Sequence, residues 1–188
     1  MTLQPDIAEA RRFLGLIAPD GDVVFQTFDD DEDRKENDPE EAKKLAWSSR
    51  KFDALAAVNA RRAGVFLTVN AVDGDRRKAE KVTRVRALFA DFDGVELPTV
   101  WDIEPSVLVN TSPAKFHAYW LIDGEFPREE FPDAQRAIAA RYGTDPVIND
   151  LPRVMRLPGF WHQKGEPYLV RIIEASGARY SVETLREW

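Results

Sequence analysis

The sequence predicts an α+β fold with a mainly antiparallel sheet flanked by helices. Strand-like runs outnumber long helical ones, and several adjoin one another along the chain. One pair, Ser106 to Asn110 (SVLVN) and Lys115 to Ile122 (KFHAYWLI), is joined by Thr111-Ser112-Pro113-Ala114, a connection of hairpin length.

Each element has its own signal. Asp6 after Pro5 caps a helix on which Ile7, Ala10, Leu14 and Ile17 share a face, and Pro19-Asp20-Gly21 stops it. Val23 to Phe28 reads as a strand, and Pro39 to Trp47 as a short helix. A second helix follows with Ser49 as cap, Phe52, Leu55 and Ala56 facing inward, and Gly64 beyond its end. Val65 to Val72 and Arg86 to Phe92 read as strands, and Pro98 to Pro105 as a connection. Pro127 to Tyr142 is a helix with Phe131, Ala134, Ile138 and Tyr142 inward, closed by Gly143. Asp145 to Phe160, broken by Pro146, Pro152 and Pro158, reads as irregular. Tyr168 to Ala175 is a last strand, and Ser181 caps a final helix cut short at Trp188.

At 188 residues, 44% apolar and 31% charged, the chain reads as one globular domain over 1–188. No apolar run approaches membrane-spanning length and the amino terminus lacks a signal-peptide core, so we expect a cytoplasmic protein with no membrane partner. Cysteine is absent, which excludes disulfides, thiolate zinc sites and cysteine nucleophiles. The net charge of −7 is local. Residues 29–41 hold nine acids against two bases, and the rest of the chain, with 24 of each, is neutral. That run reads as a mobile acidic loop with nothing to bury. Arg76 to Arg86 carries six bases against one acid, a patch able to meet phosphates.

The chemistry centres on Arg84 to Gly94, RVRALFADFDG. As a strand it places Phe89, Asp91 and Asp93 on one face, with the two acids roughly 7 Å apart at their backbones. Two carboxylates ending a buried strand need a positive partner, usually a divalent metal. An Asp-Gly turn accounts for Asp93 and Gly94 but leaves Asp91 unexplained. Without cysteine, oxygen ligands favour magnesium or manganese.

Further on, Lys115, His117 and Tyr119 share a strand face, and a cation beside an imidazole suits a phosphate. In Asp145 to Leu157 (DPVINDLPRVMRL) stand Asp145, Asp150, Arg153 and Arg156. Arginine forks match phosphate oxygens, although Asp150 paired with Arg153 in an ordinary turn explains part of this segment equally well. Metal-holding carboxylates with phosphate-holding His, Lys and Arg are the combination that phosphoryl and nucleotidyl transfer need. No GxxxxGK[ST] loop is present.

In their order, FADFDG, SPAKFHAYW and DPVINDLPRVMRLPG resemble the archaeo-eukaryotic primase superfamily, in particular the RepB-like primases of plasmids and phages and their primase-polymerase relatives. The resemblance spans about Val65 to Phe160. It implies an RRM-like primase core joined to a second small α/β unit, with the active site in the cleft between them. It also implies DNA-dependent synthesis of short primers on single-stranded DNA from nucleoside triphosphates, by two Mg²⁺ or Mn²⁺ ions, in plasmid or phage replication. Asp91 and Asp93 match the DxD motif, Asp145 best matches the third metal ligand with Asp150 competing, and His117 matches the triphosphate-binding histidine. Lys115 stands where the family has serine. Lys115, Arg153 and Arg156 are then expected on the triphosphate, and Arg76, Arg77, Lys78, Lys81 and Arg84 on the template. The abrupt end of the chain leads us to expect a C-terminal helical or helicase domain as partner.

Two other readings compete. ALFADFDGV also looks like the first motif of haloacid-dehalogenase-type phosphohydrolases, with Asp91 as nucleophile, but that fold needs parallel βαβ units and a downstream acid pair. A non-catalytic nucleic-acid-binding replication module would not need all three acids. A nicking enzyme with paired histidines is excluded, because His117 and His162 are 45 residues apart.

Overall fold

The computed structural model describes residues 3–21 and 23–187, so Trp188, expected at the end of the last helix, lies outside the described residues. Helix α1 (Ile7–Ile17) is capped by the Asp6 carboxylate, which accepts the Glu9 amide at 3.0 Å, and it buries Ala10, Phe13 and Ile17. Strand β1 (Phe25–Asp29) follows, then two short helices, α2 (Glu32–Asn37) and α3 (Pro39–Lys44).

Helix α2 and the first turn of α3 correct the expectation of a mobile acidic loop over 29–41, while α3 itself falls within the short helix expected over Pro39 to Trp47. The acids are arranged to favour helix. Asp31 and Asp38 accept first-turn amides, Pro39 starts α3, and Lys35, Lys43 and Lys44 sit one turn beyond Glu32, Glu40 and Glu41 at 2.7, 2.6 and 2.8 Å. Nor is the run wholly exposed. Asp29 is buried against Arg34, with bonds of 2.7 and 2.8 Å, and Asp30 is fully buried.

Ser49 is a second correction. It caps no helix but forms β2 (Ser48–Ser49) against Phe25 and Gln26, and α4 (Leu55–Asn59) starts later, after a 3₁₀ turn. Gly64 lies inside β3 (Ala63–Thr68) rather than past a helix end. The strand expected to run on to Val72 breaks after Thr68, and β4 (Ala71–Val72) turns away to pair with β5 (Val82–Arg84).

The central strand β6 (Ala87–Phe92), the hairpin of β7 (Val107–Ser112) and β8 (Lys115–Asp123), and helix α5 (Phe131–Tyr142) fall close to expectation, with Gly143 closing α5 at φ 69°. The segment read as irregular holds β9 (Val154–Arg156), which pairs with Phe66 to Thr68 of β3. Beyond it are β10 (Trp161–His162), β11 (Tyr168–Leu169), β12 (Arg171–Ala175), β13 (Arg179–Ser181) and α6 (Val182–Arg186). The turn before β10 depends on Gly159. Its φ is +86°, and a Cβ there would lie 2.1 Å from the Asp6 carbonyl oxygen.

Two sheets result. One is four-stranded and antiparallel, in the order β2-β1-β3-β9. The other joins β12, β7, β8 and β13, with β6 also on β8; its pairs are antiparallel apart from β8 with β13. One apolar core gathers Leu67 of the first sheet, Leu88, Tyr119 and Trp120 of the second, Phe13 of α1 and Phe160 before β10.

Strand β6 pairs with β8, and its other side is met by a side chain. The amide of buried Gln135 on α5 accepts the Phe89 N–H and donates to the Phe89 carbonyl, both at 3.0 Å. It replaces a neighbouring strand's peptide two residues before Asp91. Gln135→Leu leaves both backbone groups buried and unpaired, so we expect a loss of about 2–4 kcal/mol by urea unfolding; an unchanged midpoint contradicts this anchoring role.

Candidate active site

The register of β6 on β8 places Asp91 opposite His117. Asp93 follows just beyond the strand and meets Lys115, whose Nζ lies 2.7 and 2.9 Å from the two carboxylate oxygens. From the other sheet, β9 contributes Arg156, and Arg153 just precedes that strand. These six sequence-predicted residues line one cleft of about 250 Å³ between the sheets.

His117 is buried, and its pKa is lowered because burial outweighs the opposing charge of Asp91. Its Nδ1 lies 3.2 Å from the Tyr119 hydroxyl, and its Nε2 lies 3.7 Å from Asp91 Oδ1. Burial raises Tyr119 well above the ordinary value of 10.0, so it keeps its proton and can donate to Nδ1. The ring is then neutral with its proton on Nε2, facing Asp91 and the cleft.

The remaining predicted residues are not brought into this cleft. Asp145 is exposed on a turn and accepts the Val147 N–H at 2.9 Å. Asp150 pairs with Arg153, which also donates to the Val147 carbonyl. Among the described residues no three Asp, Glu or His side chains are grouped closely enough to hold a metal ion. Asp91 and Asp93 nevertheless suit a hard cation. They are oxygen donors on the mouth of the cleft, with side chains 28% and 57% exposed. Magnesium characteristically takes one or two carboxylates and completes its shell with water and substrate phosphates.

Arg76, Arg77 and Lys78 line a separate depression beside Gln26 and Ser48. Arg77 donates to Gln26 and lies 5.7 Å from the centre of the Phe28 ring. Lys81 and Arg84 sit near Asp73 and Asp20, at 3.6 and 3.9 Å.

Among the other residues that line the cleft, Phe66, Thr111, His162 and Lys164 were not anticipated. The signal that could have found them was GFWHQK directly after the LPG turn: on a short strand His162 and Lys164 share a side, and His162 is one of only two histidines. His162 Nδ1 donates to the Thr111 carbonyl at 3.1 Å, and Nε2 is buried without a hydrogen-bond partner. Burial, and next the charge of Arg156, lowers its pKa.

The fold is that of primase catalytic domains. It matches the AEP domain of the cyanophage S-2L primase-polymerase with TM-score 0.79 at 19% identity, over 98% of both chains. A structure of the primase RepB' matches with TM-score 0.65 at 16% identity, over 97% of this chain and 62% of that one. The catalytic domain of RepB' in complex with initiator DNA matches with TM-score 0.62 at 16% identity, over 98% of this chain and 95% of that one. No curated protein sequence matches the chain. Residues 77–185 match the RepB DNA-primase N-terminal domain, and the chain belongs to that family.

A lowered histidine pKa carries a sign that can be measured. The unfolded chain takes up a proton on His162 near pH 6.5 while the folded chain does not, so stability falls as pH drops below that value. We expect urea midpoints to decrease from pH 7.5 to 5.5, and the decrease to be shallower in His162→Gln by up to one proton, about 1.4 kcal/mol per pH unit. Equal slopes contradict the assignment.

Proposed function

We propose that the chain is the catalytic unit of a DNA primase that joins nucleoside triphosphates on single-stranded DNA, acting in plasmid or phage replication together with a further helical or helicase domain. The observation that carries this reading is the convergence, in one cleft, of Asp91 and Asp93 with Lys115, His117, Arg153 and Arg156. Membership of the RepB family supports it, as does the likeness to a RepB' domain in complex with initiator DNA.

In this reading Asp91 and Asp93 hold Mg²⁺ or Mn²⁺. Such ions, when bound, lower the pKa of an attacking hydroxyl and neutralise charge on the phosphates. The chain's own groups do the rest. The cations bind and orient the triphosphate in the cleft. Lys115 can exchange its bond to Asp93 for a phosphate oxygen, freeing that carboxylate. His117, held neutral by burial and by Tyr119, offers its Nε2–H as a directional donor, without the cost of a buried charge. Either of two roles fits Asp145: a third ligand delivered when its turn moves on binding, or a structural acid of that turn. Its bond to the Val147 amide favours the second.

The phosphohydrolase reading is disfavoured by the antiparallel pairing of β6 with β8, since that motif sits on a strand within parallel βαβ units. The basic residues Arg76, Arg77, Lys78, Lys81 and Arg84 are assigned to the template, with Phe28 beneath Arg77 as a surface on which a base can stack.

Replacing Asp91 and Asp93 by alanine is expected to abolish primer synthesis on unprimed single-stranded DNA while leaving the far-ultraviolet spectrum intact; undiminished synthesis would sink the assignment. Arg76→Ala with Arg77→Ala is expected to weaken single-stranded DNA binding and to reduce the slope of log K against log salt by about 1.4, roughly 0.7 for each phosphate that is no longer neutralised. An unchanged slope removes these arginines from the template path.

A further inference from the structure

Asp30 is fully buried, yet it lies in the most acidic stretch of the chain, where a carboxylate could easily be solvated. Its two oxygens receive Arg156 Nη1 at 3.1 Å and Nη2 at 3.0 Å, and the backbone N–H of Gln163 at 2.9 Å. The Arg156 side chain is itself only 9% exposed, and its guanidinium stacks 4.6 Å from the centre of the Phe66 ring. A planar fork gripped on one edge by a carboxylate and on one face by an aromatic ring has little rotational freedom.

Gly64 makes the same point independently. Its φ lies outside the left-handed region, so the backbone does not require glycine there. A Cβ at this position would lie 2.7 Å from Arg156 Nη1 and 2.8 and 2.9 Å from the Asp30 oxygens. The ion pair fills the space of the missing side chain. The chain therefore omits a side chain from β3 so that the end of β1 can hold the end of β9.

We infer that Asp30 is a positioning residue of the phosphate site: it fixes the guanidinium of Arg156 toward the cleft. This rests on the reading of Arg156 as a phosphate-binding group. Two of the five guanidinium N–H donors are committed to Asp30, which leaves the others for a ligand. The guanidinium lies close enough to His117 and His162 for its charge to lower both pKa values, so what Asp30 holds in place is a wall of the cleft itself.

Charge and position predict opposite effects, which makes the inference testable. Asp30→Asn removes a negative charge near the site, so by charge alone an anion should bind more tightly. If Asp30 acts by position, the anion should bind more weakly. The experiment is calorimetric titration of the full chain with inorganic tripolyphosphate and Mg²⁺, a probe without base or sugar. It compares wild type, Arg156→Ala, Asp30→Asn, Gly64→Ala and the Asp30→Asn/Arg156→Ala double variant. We expect each single variant to lose roughly tenfold in affinity, the scale of one charge-assisted hydrogen bond, and the double variant to be no weaker than Arg156→Ala alone.

Gly64→Ala keeps both charges and asks only the far ends of two side chains to move. It therefore decides the matter if Asp30→Asn fails to show a cooperative thermal transition. Weakened binding in Arg156→Ala, with undiminished or tighter binding in Asp30→Asn and Gly64→Ala, overturns the role of Asp30 and leaves the phosphate site standing. Undiminished binding in Arg156→Ala overturns both. A further loss in the double variant beyond Arg156→Ala shows Asp30 acting other than through the arginine, and also overturns the inference.

Discussion

The pairing of β6 with β8 is the constraint on which the site depends. Side chains alternate across a strand, so a slip of one residue would turn Asp91 into the core and Phe92 toward the cleft, while His117 kept its place. Several features hold the register against that slip. Leu88 and Phe92 are fully buried among Trp120, Trp101 and Tyr142, and Phe89 packs against Phe131 and Tyr119 on the opposite face. On the side away from β8, Gln135 closes the backbone at Phe89. The carboxylates are therefore placed by apolar packing of their neighbours in the strand, and their side chains engage in the exposed Lys115–Asp93 pair and the 3.7 Å approach of His117 to Asp91.

The second wall of the cleft belongs to the other sheet, and what fixes it is electrostatic. A buried ion pair is weak support for stability, because desolvation offsets the attraction. Its value here lies in direction. Asp30, Arg156 and the Gln163 amide tie the ends of β1, β9 and β10 at one point. A cleft between two sheets thus has one wall aligned by hydrophobic packing and one by a hydrogen-bonded charge pair, and the groups proposed to bind phosphate come from both.

Much of this was legible in the sequence, for reasons that differ by residue. The strand bearing Asp91 could be read because apolar residues run unbroken up to the carboxylates, and the hairpin because its turn is short. His117 and Lys115 followed from alternation along that hairpin. Asp30 was not legible, since its charge in a run of acids is indistinguishable from that of its solvated neighbours until Arg156, 126 residues later, is placed beside it. The helix at 32–37 was missed because net charge says nothing of the placement of caps and i,i+3 pairs, which is what makes that run helical, whereas α3 lies within the short helix read over Pro39 to Trp47. The strand β9 was hidden by the prolines around it, and Asp145 was favoured on motif spacing alone, which carries no information about which way a turn faces.

The central claim is that this cleft joins nucleotides under the direction of a DNA template. Its most direct test offers the full chain unprimed poly(dT) with Mg²⁺ or Mn²⁺ and labelled adenine or guanine nucleoside triphosphates, both ribo and deoxy, with products resolved by length. The account predicts short oligomers from the adenine nucleotides and none from the guanine ones. Release of phosphate without oligomers, or oligomers formed regardless of the template base, would contradict it.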